Sequence, residues 1–172
     1  MKLDEITNKN DEWYTPVYAI EPILKYVPPG VKVWCPFDTE KSHYVKELEK
    51  HGCDVVATHI NRGGNFFELE VPECDCIISN PPYSLRTEVL KRLFEIDKPF
   101  AMLLGVVGIF ESQKRFEMFR DNEFEIMYLN KRVAFFKSYD EQKSSAQPPF
   151  STAYICHNLL PKQIIFEEIV KS

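Results

Sequence analysis

Asn80, Pro81, Pro82 and Tyr83 form the tetrapeptide with the most specific chemistry in the chain. It follows Ser79 at the end of an apolar run, and two consecutive prolines cannot continue a strand ladder, so the chain there must make a rigid, extended turn. Such a turn holds the Asn80 side-chain carbonyl and the backbone carbonyls of Asn80 and Pro81 outward as acceptors, with the Tyr83 ring beside them. A planar amine matches that set. Two acceptors on its protons leave the nitrogen lone pair more available for attack on an electrophilic methyl group, and an aromatic face stacks on the ring that carries the amine. The alternative for the same residues is a proline-stiffened strand-to-helix loop with Asn80 as a cap.

The elements that must position this turn are legible as alternating strands and helices. Thr15-Pro16 reads as an N-cap followed by proline at the first helical position, with Val17, Ile20, Leu24 and Val27 at helical spacing and Pro22 interrupting or restarting the helix. Residues 31–35 predict a short buried strand, and the polar turn 38–42 leads to a helix with Tyr44, Val45 and Leu48 on one face, ending at Gly52. Residues 53–58 predict a second buried strand, 61–65 a glycine-containing turn and 75–79 a third strand. Leu85, Val89, Leu90, Leu93 and Phe94 then mark one face of a helix. A strand over 100–104, a weaker helix over 111–120 and a strand over 125–129 come next. Such alternation predicts an α/β, Rossmann-like fold: a mostly parallel central sheet with helices on both faces. Three β-like runs at 133–136, 151–156 and 163–167 predict an antiparallel C-terminal end. Ligands in open sheets bind beyond the carboxyl ends of the strands, which singles out the turns after Cys35, Thr58 and Ser79.

The 172 residues, 44% of them hydrophobic, suffice for one core and predict one domain over 1–172, with 1–12 flexible. The longest apolar stretch, 100–110, is too short to cross a bilayer, and the N-terminus lacks a signal-peptide pattern, so the expectation is a cytoplasmic protein without membrane contact. Cys35, Cys53, Cys74, Cys76 and Cys156 form no C-x-x-C pair and read as reduced, buried thiols. Cys74 and Cys76 with a histidine could form a zinc site, but their i,i+2 spacing fits one buried strand face, and no metal is expected. The net charge of −5 argues against indiscriminate nucleic-acid binding while leaving room for local basic surface. Three groups could supply it: Arg86, Lys91 and Arg92; Lys114, Arg115 and Arg120; Lys131, Arg132 and Lys137. Each is otherwise a solvated helix or loop face.

N-P-P-Y after a strand resembles the D/N/S-P-P-Y/F/W motif of S-adenosylmethionine-dependent amino-methyltransferases of class I. The chain more widely resembles the short adenine-specific DNA methylases of phages and prophages. Residues 11–16, with Trp13, Tyr14, Thr15 and Pro16, look like that group's N-terminal cofactor motif. Trp34-Cys35-Pro36-Phe37 looks like its D-P-F-x-G-x-G loop, and Asn65-Phe66-Phe67 like its D-F-F segment near the cofactor's adenine. The resemblance implies S-adenosylmethionine as cofactor, Asn80, Pro81, Pro82 and Tyr83 as the catalytic turn, and methyl transfer to the exocyclic amine of a flipped adenine in DNA.

The sequence departs from that pattern where the family carries its acidic residue and two glycines, since Cys35, Thr39 and Lys41 stand there. Asp38 or Glu40 is the candidate to replace the missing carboxylates, beside Pro36 and Phe37. The ribose-binding carboxylate after the second strand is replaced by Thr58-His59-Ile60, which makes His59 either a ribose or adenine contact or a polar strand-end residue. Gly63 and Gly64 read as turn glycines. Two further readings stay open: a methyltransferase fold that kept its base pocket and lost its cofactor, and an amino-methyltransferase of a protein glutamine or of RNA. No separate target-recognition domain fits in the length, so DNA contact falls to the polar segment 137–149 with Lys137, Tyr139 and Lys143, widened by Lys131 and Arg132, or to a partner subunit.

Overall fold

In a computed structural model the described residues are 14–136 and 151–171. They form a mixed α/β fold around one seven-stranded sheet of order β2-β1-β3-β4-β6-β5-β7. The strands are β1 (Lys32–Cys35), β2 (Asp54–Ala57), β3 (Cys76–Ser79), β4 (Phe100–Gly105), β5 (Glu125–Leu129), β6 (Thr152–His157) and β7 (Ile164–Glu167). β2, β1, β3 and β4 run parallel, whereas β6 is antiparallel to both β4 and β5. The helices are α1 (Val17–Leu24), α2 (His43–Lys50), α3 (Arg86–Ile96) and α4 (Gln113–Asp121).

The period of two along each strand sorts the core into two layers. Val33, Cys35, Ile78, Ala101, Leu103, Tyr154 and Cys156 face α1 and α2, while Trp34, Ile77, Met102, Leu104 and Ile155 face α3 and α4. Both faces are thus covered, and β3, β4 and β6 are buried along their whole length. This is the physical reason their sequences are continuously apolar.

Several sequence expectations are corrected. Thr15 is not the N-cap: Pro16 holds that position with extended backbone, and Pro22 sits inside α1, which continues to Leu24. β2 is only half-buried because it is a sheet edge. Residues 133–136 form no sheet strand; Phe136 instead makes an isolated antiparallel bridge to Tyr14, with N–H···O bonds of 2.8 Å in both directions. The C-terminal end is not uniformly antiparallel, because β7 lies parallel to β5. Cys74 and Cys76 do not share a face: Cys74 precedes β3, and the two thiols lie in opposite core layers. All five cysteines are free and buried.

The turn after β2 is a 3₁₀ turn, Ile60–Arg62, closed by Gly63 in the left-handed region and by Gly64 N–H donating to His59 O at 2.9 Å. A Cβ on Gly64 would lie 2.9 Å from His59 N and 3.0 Å from His59 O, both backbone atoms that cannot swing away. Gly64→Ala is therefore expected to lower stability by about 1–3 kcal/mol, read as a lower urea midpoint with unchanged slope, whereas an unshifted midpoint would contradict this packing.

Candidate functional site

From β1 the sheet grows outward to β2 on one side and to β3 on the other, so the carboxyl ends of β1 and β3 flank a topological switch point. The loops leaving these two ends are 36–38 and 80–83. They are tied by one side chain. The buried Asp38 carboxylate accepts a 2.5 Å hydrogen bond from Ser42 Oγ on one oxygen and a 2.5 Å bond from Ser79 Oγ on the other. Ser42 also caps α2 by accepting from Tyr44 N–H. One carboxylate thus joins the loop after β1, the start of α2 and the last residue of β3. On the other side, Asp38 N–H donates to Thr58 O and Thr58 N–H to Cys35 O, each at 3.1 Å, lacing the ends of β1 and β2 together.

Beside this knot lies a cleft of about 420 Å³ whose lining includes Asp38, Thr39, Glu40, Thr58, His59 and Gly64. Its size falls within the roughly 300–1,000 Å³ usual for small-molecule sites. Glu40 stands at the exposed side, 2.6 Å from Arg62, and this pairing holds its carboxyl below the ordinary range. Glu40 therefore faces a cation of its own chain, and Asp38 is the carboxylate at the switch point. His59 accepts Asn61 N–H on Nδ1 at 3.1 Å, which makes it the cap of the 3₁₀ turn as well as part of the cleft wall. Pro36 is buried. Asn65 accepts Phe67 N–H at 3.0 Å and shapes its own turn. Phe66 is wholly buried against Trp34 and Phe37, with ring centroids 5.6 and 5.0 Å away and the Arg92 guanidinium over its face; it belongs to the core layer facing α3 and α4 and does not line the cleft.

The N-terminal segment comes to the same region. Thr15 O contacts His43 Nδ1 at 3.0 Å, at the first residue of α2, and Thr15 and Pro16 are both buried. Tyr14 is held by its bridge to Phe136. Trp13 lies outside the described residues.

After β3, Asn80 is half-buried, Pro81 buried, and Tyr83 begins a short 3₁₀ turn that precedes α3. The Tyr83 ring meets Phe135 edge to face at 6.2 Å between centroids. It also lines a second cleft, of about 410 Å³, with Arg86, Thr87, Gly105, Val107 and Arg115. Lys131 and Arg132 are exposed between β5 and the 133–136 segment that reaches Tyr83. Lys137, Tyr139 and Lys143 lie outside the described residues. Sequence reasoning missed Ser42 and Ser79 as partners of Asp38. The serine directly before an amphipathic helix was a visible cap signal, but nothing local relates Asp38 to a residue 41 positions away.

Burial pushes the Asp38 carboxyl up to about 6, with the Ser42 and Ser79 hydrogen bonds opposing that rise. The folded state therefore favours the protonated form. The associated stability is complete below the ordinary carboxylate range near ~4 and is lost as pH rises through about 6. Asp38→Asn removes the charge at constant size. Urea midpoints measured from pH 4 to 7 are expected to fall for the parent relative to this variant as pH rises. Parallel profiles for the two proteins would refute the assignment.

No protein-family model matches the chain, and no curated protein matches it in sequence. Solved structures match it in fold. A modification subunit assigned to a type I restriction enzyme of Vibrio vulnificus YJ016 aligns with 98% of this chain and 49% of its own, at TM-score 0.62 and 11% identity. The type I restriction-modification methyltransferase subunit of Streptococcus thermophilus aligns with 90% of this chain and 46% of its own, at TM-score 0.53 and 10% identity. The chain spans about half the length of both, and what it shares with them at these identities is the mixed α/β, Rossmann-like fold.

Proposed function

We propose that the chain transfers a methyl group from S-adenosylmethionine to the exocyclic amine of adenine in DNA. The observation that carries this reading is the tie between Asp38 and Ser79, which holds the loop after β1 against the turn Asn80-Pro81-Pro82-Tyr83 at the switch point of the sheet. Similarity in fold to two restriction-modification subunits supports it. So does the N-P-P-Y resemblance.

The residues present fit the cofactor in two respects. The first cleft is of ligand size, and it presents a carboxylate, Asp38, that a cationic ligand would keep ionised. Asp38, Thr39, Thr58 and His59 would hold it, with Thr15 and Pro16 behind the start of α2; Glu40 would have to leave Arg62 to take part. S-adenosylmethionine supplies an electrophilic methyl group on a sulfonium centre. The chain's own part is positional. Asn80 Oδ1, a buried atom that base entry would have to uncover, and one carbonyl of the Asn80-Pro81 pair would each accept one of the two amine protons, Tyr83 would stack on the base, and the prolines would keep these acceptors fixed. As the nitrogen–methyl bond forms and the methyl–sulfur bond breaks, the positive nitrogen gives up one of its protons to water. Exposed Lys131 and Arg132, together with Lys137, Tyr139 and Lys143, are the proposed DNA contacts.

Calorimetry with S-adenosylmethionine tests the cofactor half of this reading. Micromolar binding that strengthens as pH rises through about 6, where Asp38 ionises, is expected. Absence of binding at any pH would favour a base-binding protein that has lost its cofactor, the reading motivated by the missing glycines and the Glu40–Arg62 pair. For the chemical half, Asn80→Ala is expected to lower turnover on DNA by an amount corresponding to about 2.7–4 kcal/mol without weakening cofactor binding. Turnover equal to the parent would sink the mechanism.

A further inference from the structure

The second cleft contains a charge arrangement that the fold does not neutralise. Arg86, the first residue of α3, donates to Gly105 O at 2.7 Å and Val107 O at 3.2 Å. Arg115, on α4, donates to Ile109 O at 2.6 Å, Gly108 O at 3.1 Å and Thr87 Oγ1 at 2.7 Å. Both side chains are half-buried, and among the described residues neither forms an ion pair. Carbonyls and a hydroxyl solvate a guanidinium but carry no net charge, so two positive charges stand together. Burial, added to by their mutual repulsion, presses the Arg86 guanidinium below its ordinary value. Holding two like charges in a half-buried cleft costs free energy that a carboxylate at Thr87 would have removed. Both arginines keep N–H donors beyond those committed to the 105–109 loop.

Tyr83 lines the same cleft, so whatever anion sits there is adjacent to the proposed base-stacking ring. A flipped nucleotide carries a phosphodiester on each side of its sugar, within reach of a neighbouring subsite. We propose that Arg86 and Arg115 form a phosphate subsite that grips the DNA backbone next to the base held at Asn80–Tyr83. This rests on the reading of that turn as a base site. A bidentate guanidinium pair suits a phosphodiester better than lysines would. The two arginines also fix the loop after β4 through its carbonyls, so backbone binding and the position of exposed Val107, 71% accessible at that loop, are mechanically coupled. From sequence the two residues belong to separate helix faces, and only the packing of α3 beside α4 joins them.

Removing either arginine would also release the loop, so the test adds charge instead. Thr87→Asp places a carboxylate where Thr87 Oγ1 now meets Arg115, and an acid in the first turn of α3 favours folding. Thr87→Asn is the uncharged control. Binding of a fluorescent DNA duplex is followed by anisotropy over a salt series. Thr87→Asp is expected to bind several-fold more weakly, with a salt slope reduced by about 1, at an unchanged or raised thermal midpoint and unchanged S-adenosylmethionine heat. Thr87→Asn should bind as the parent does. Inorganic phosphate should compete only at salt-like concentrations; displacement at micromolar level would mark a free-anion site and overturn the strand assignment. A parent that binds RNA but not DNA, or a Thr87→Asp protein with parental affinity and slope, would also overturn it. Loss of DNA affinity in Thr87→Asp together with absent methyl transfer in the parent would keep this subsite and reject the proposed activity.

Discussion

The Asp38 carboxylate is the interaction on which the local architecture depends. Among the described residues it is the one group hydrogen-bonded at once to the start of α2 and to the end of β3, while its own backbone N–H is tied to Thr58 just after β2. A buried carboxylate with only two hydroxyl donors is incompletely solvated, and its raised pKa expresses that deficit. A fully stabilising structural knot would use main-chain amides instead. Glu125 provides the contrast within the same molecule: its buried carboxylate accepts N–H bonds from Asn158, Leu159 and Leu160 and simply closes the turn after β6. The difference is that Glu125 meets its donors at a closed turn, whereas Asp38 borders an open cleft with room for a cationic ligand.

The sheet explains where that cleft lies. Parallel strands β1 and β3 send their connections to opposite faces, and the cleft opens on the β2 side of this switch point, between the loop after β1, Val45 and Glu49 of α2, Val55 and Ala57 of β2 and the turn after β2. The apolar layers on both faces make this frame rigid, so the side chains at its rim are positioned by buried strands rather than by their own loops. Asn80 inherits its placement from β3, which is buried throughout, and from Pro81 and Pro82, whose rings restrict the backbone on its C-terminal side.

How much could be read from the sequence depends on how local the cause of each feature is. The strands around residues 32–35, 76–79 and 100–105 were legible because burial on both faces makes them continuously apolar, and α2 was legible because Tyr44, Val45 and Leu48 share a face. The run 133–136 looked like a strand for the same reason, since Val133 and Phe135 are buried. They are buried by crossing over the sheet end toward Tyr83 and Tyr14, and composition does not distinguish these fates. The parallel placement of β7, the opposite faces of Cys74 and Cys76, and the Asp38–Ser79 bond are all consequences of tertiary register. Asp38 itself was within reach, being one of two carboxylates beside Pro36-Phe37. What separated it from Glu40 was Arg62, which only the fold brings within 2.6 Å.

A chain of net charge −5 would be an unexpected partner for the proposed polyanionic substrate, and the distribution of charge around β3 bears on this. The cleft toward β1 and β2 is lined by Asp38, Glu40 and Glu49, with Arg62 as its cation. The cleft toward β4 and α3 has Arg86 and Arg115 and no acidic residue among the described residues that line it. The turn after β3 lies between the two. A cationic cofactor and an anionic strand would each meet complementary charge, and the reacting amine would be held where the two fields join. Under the proposed function, overall acidity would limit adhesion to nucleic acid elsewhere on the surface, while the arginine pair would concentrate attraction at the place where a base would enter.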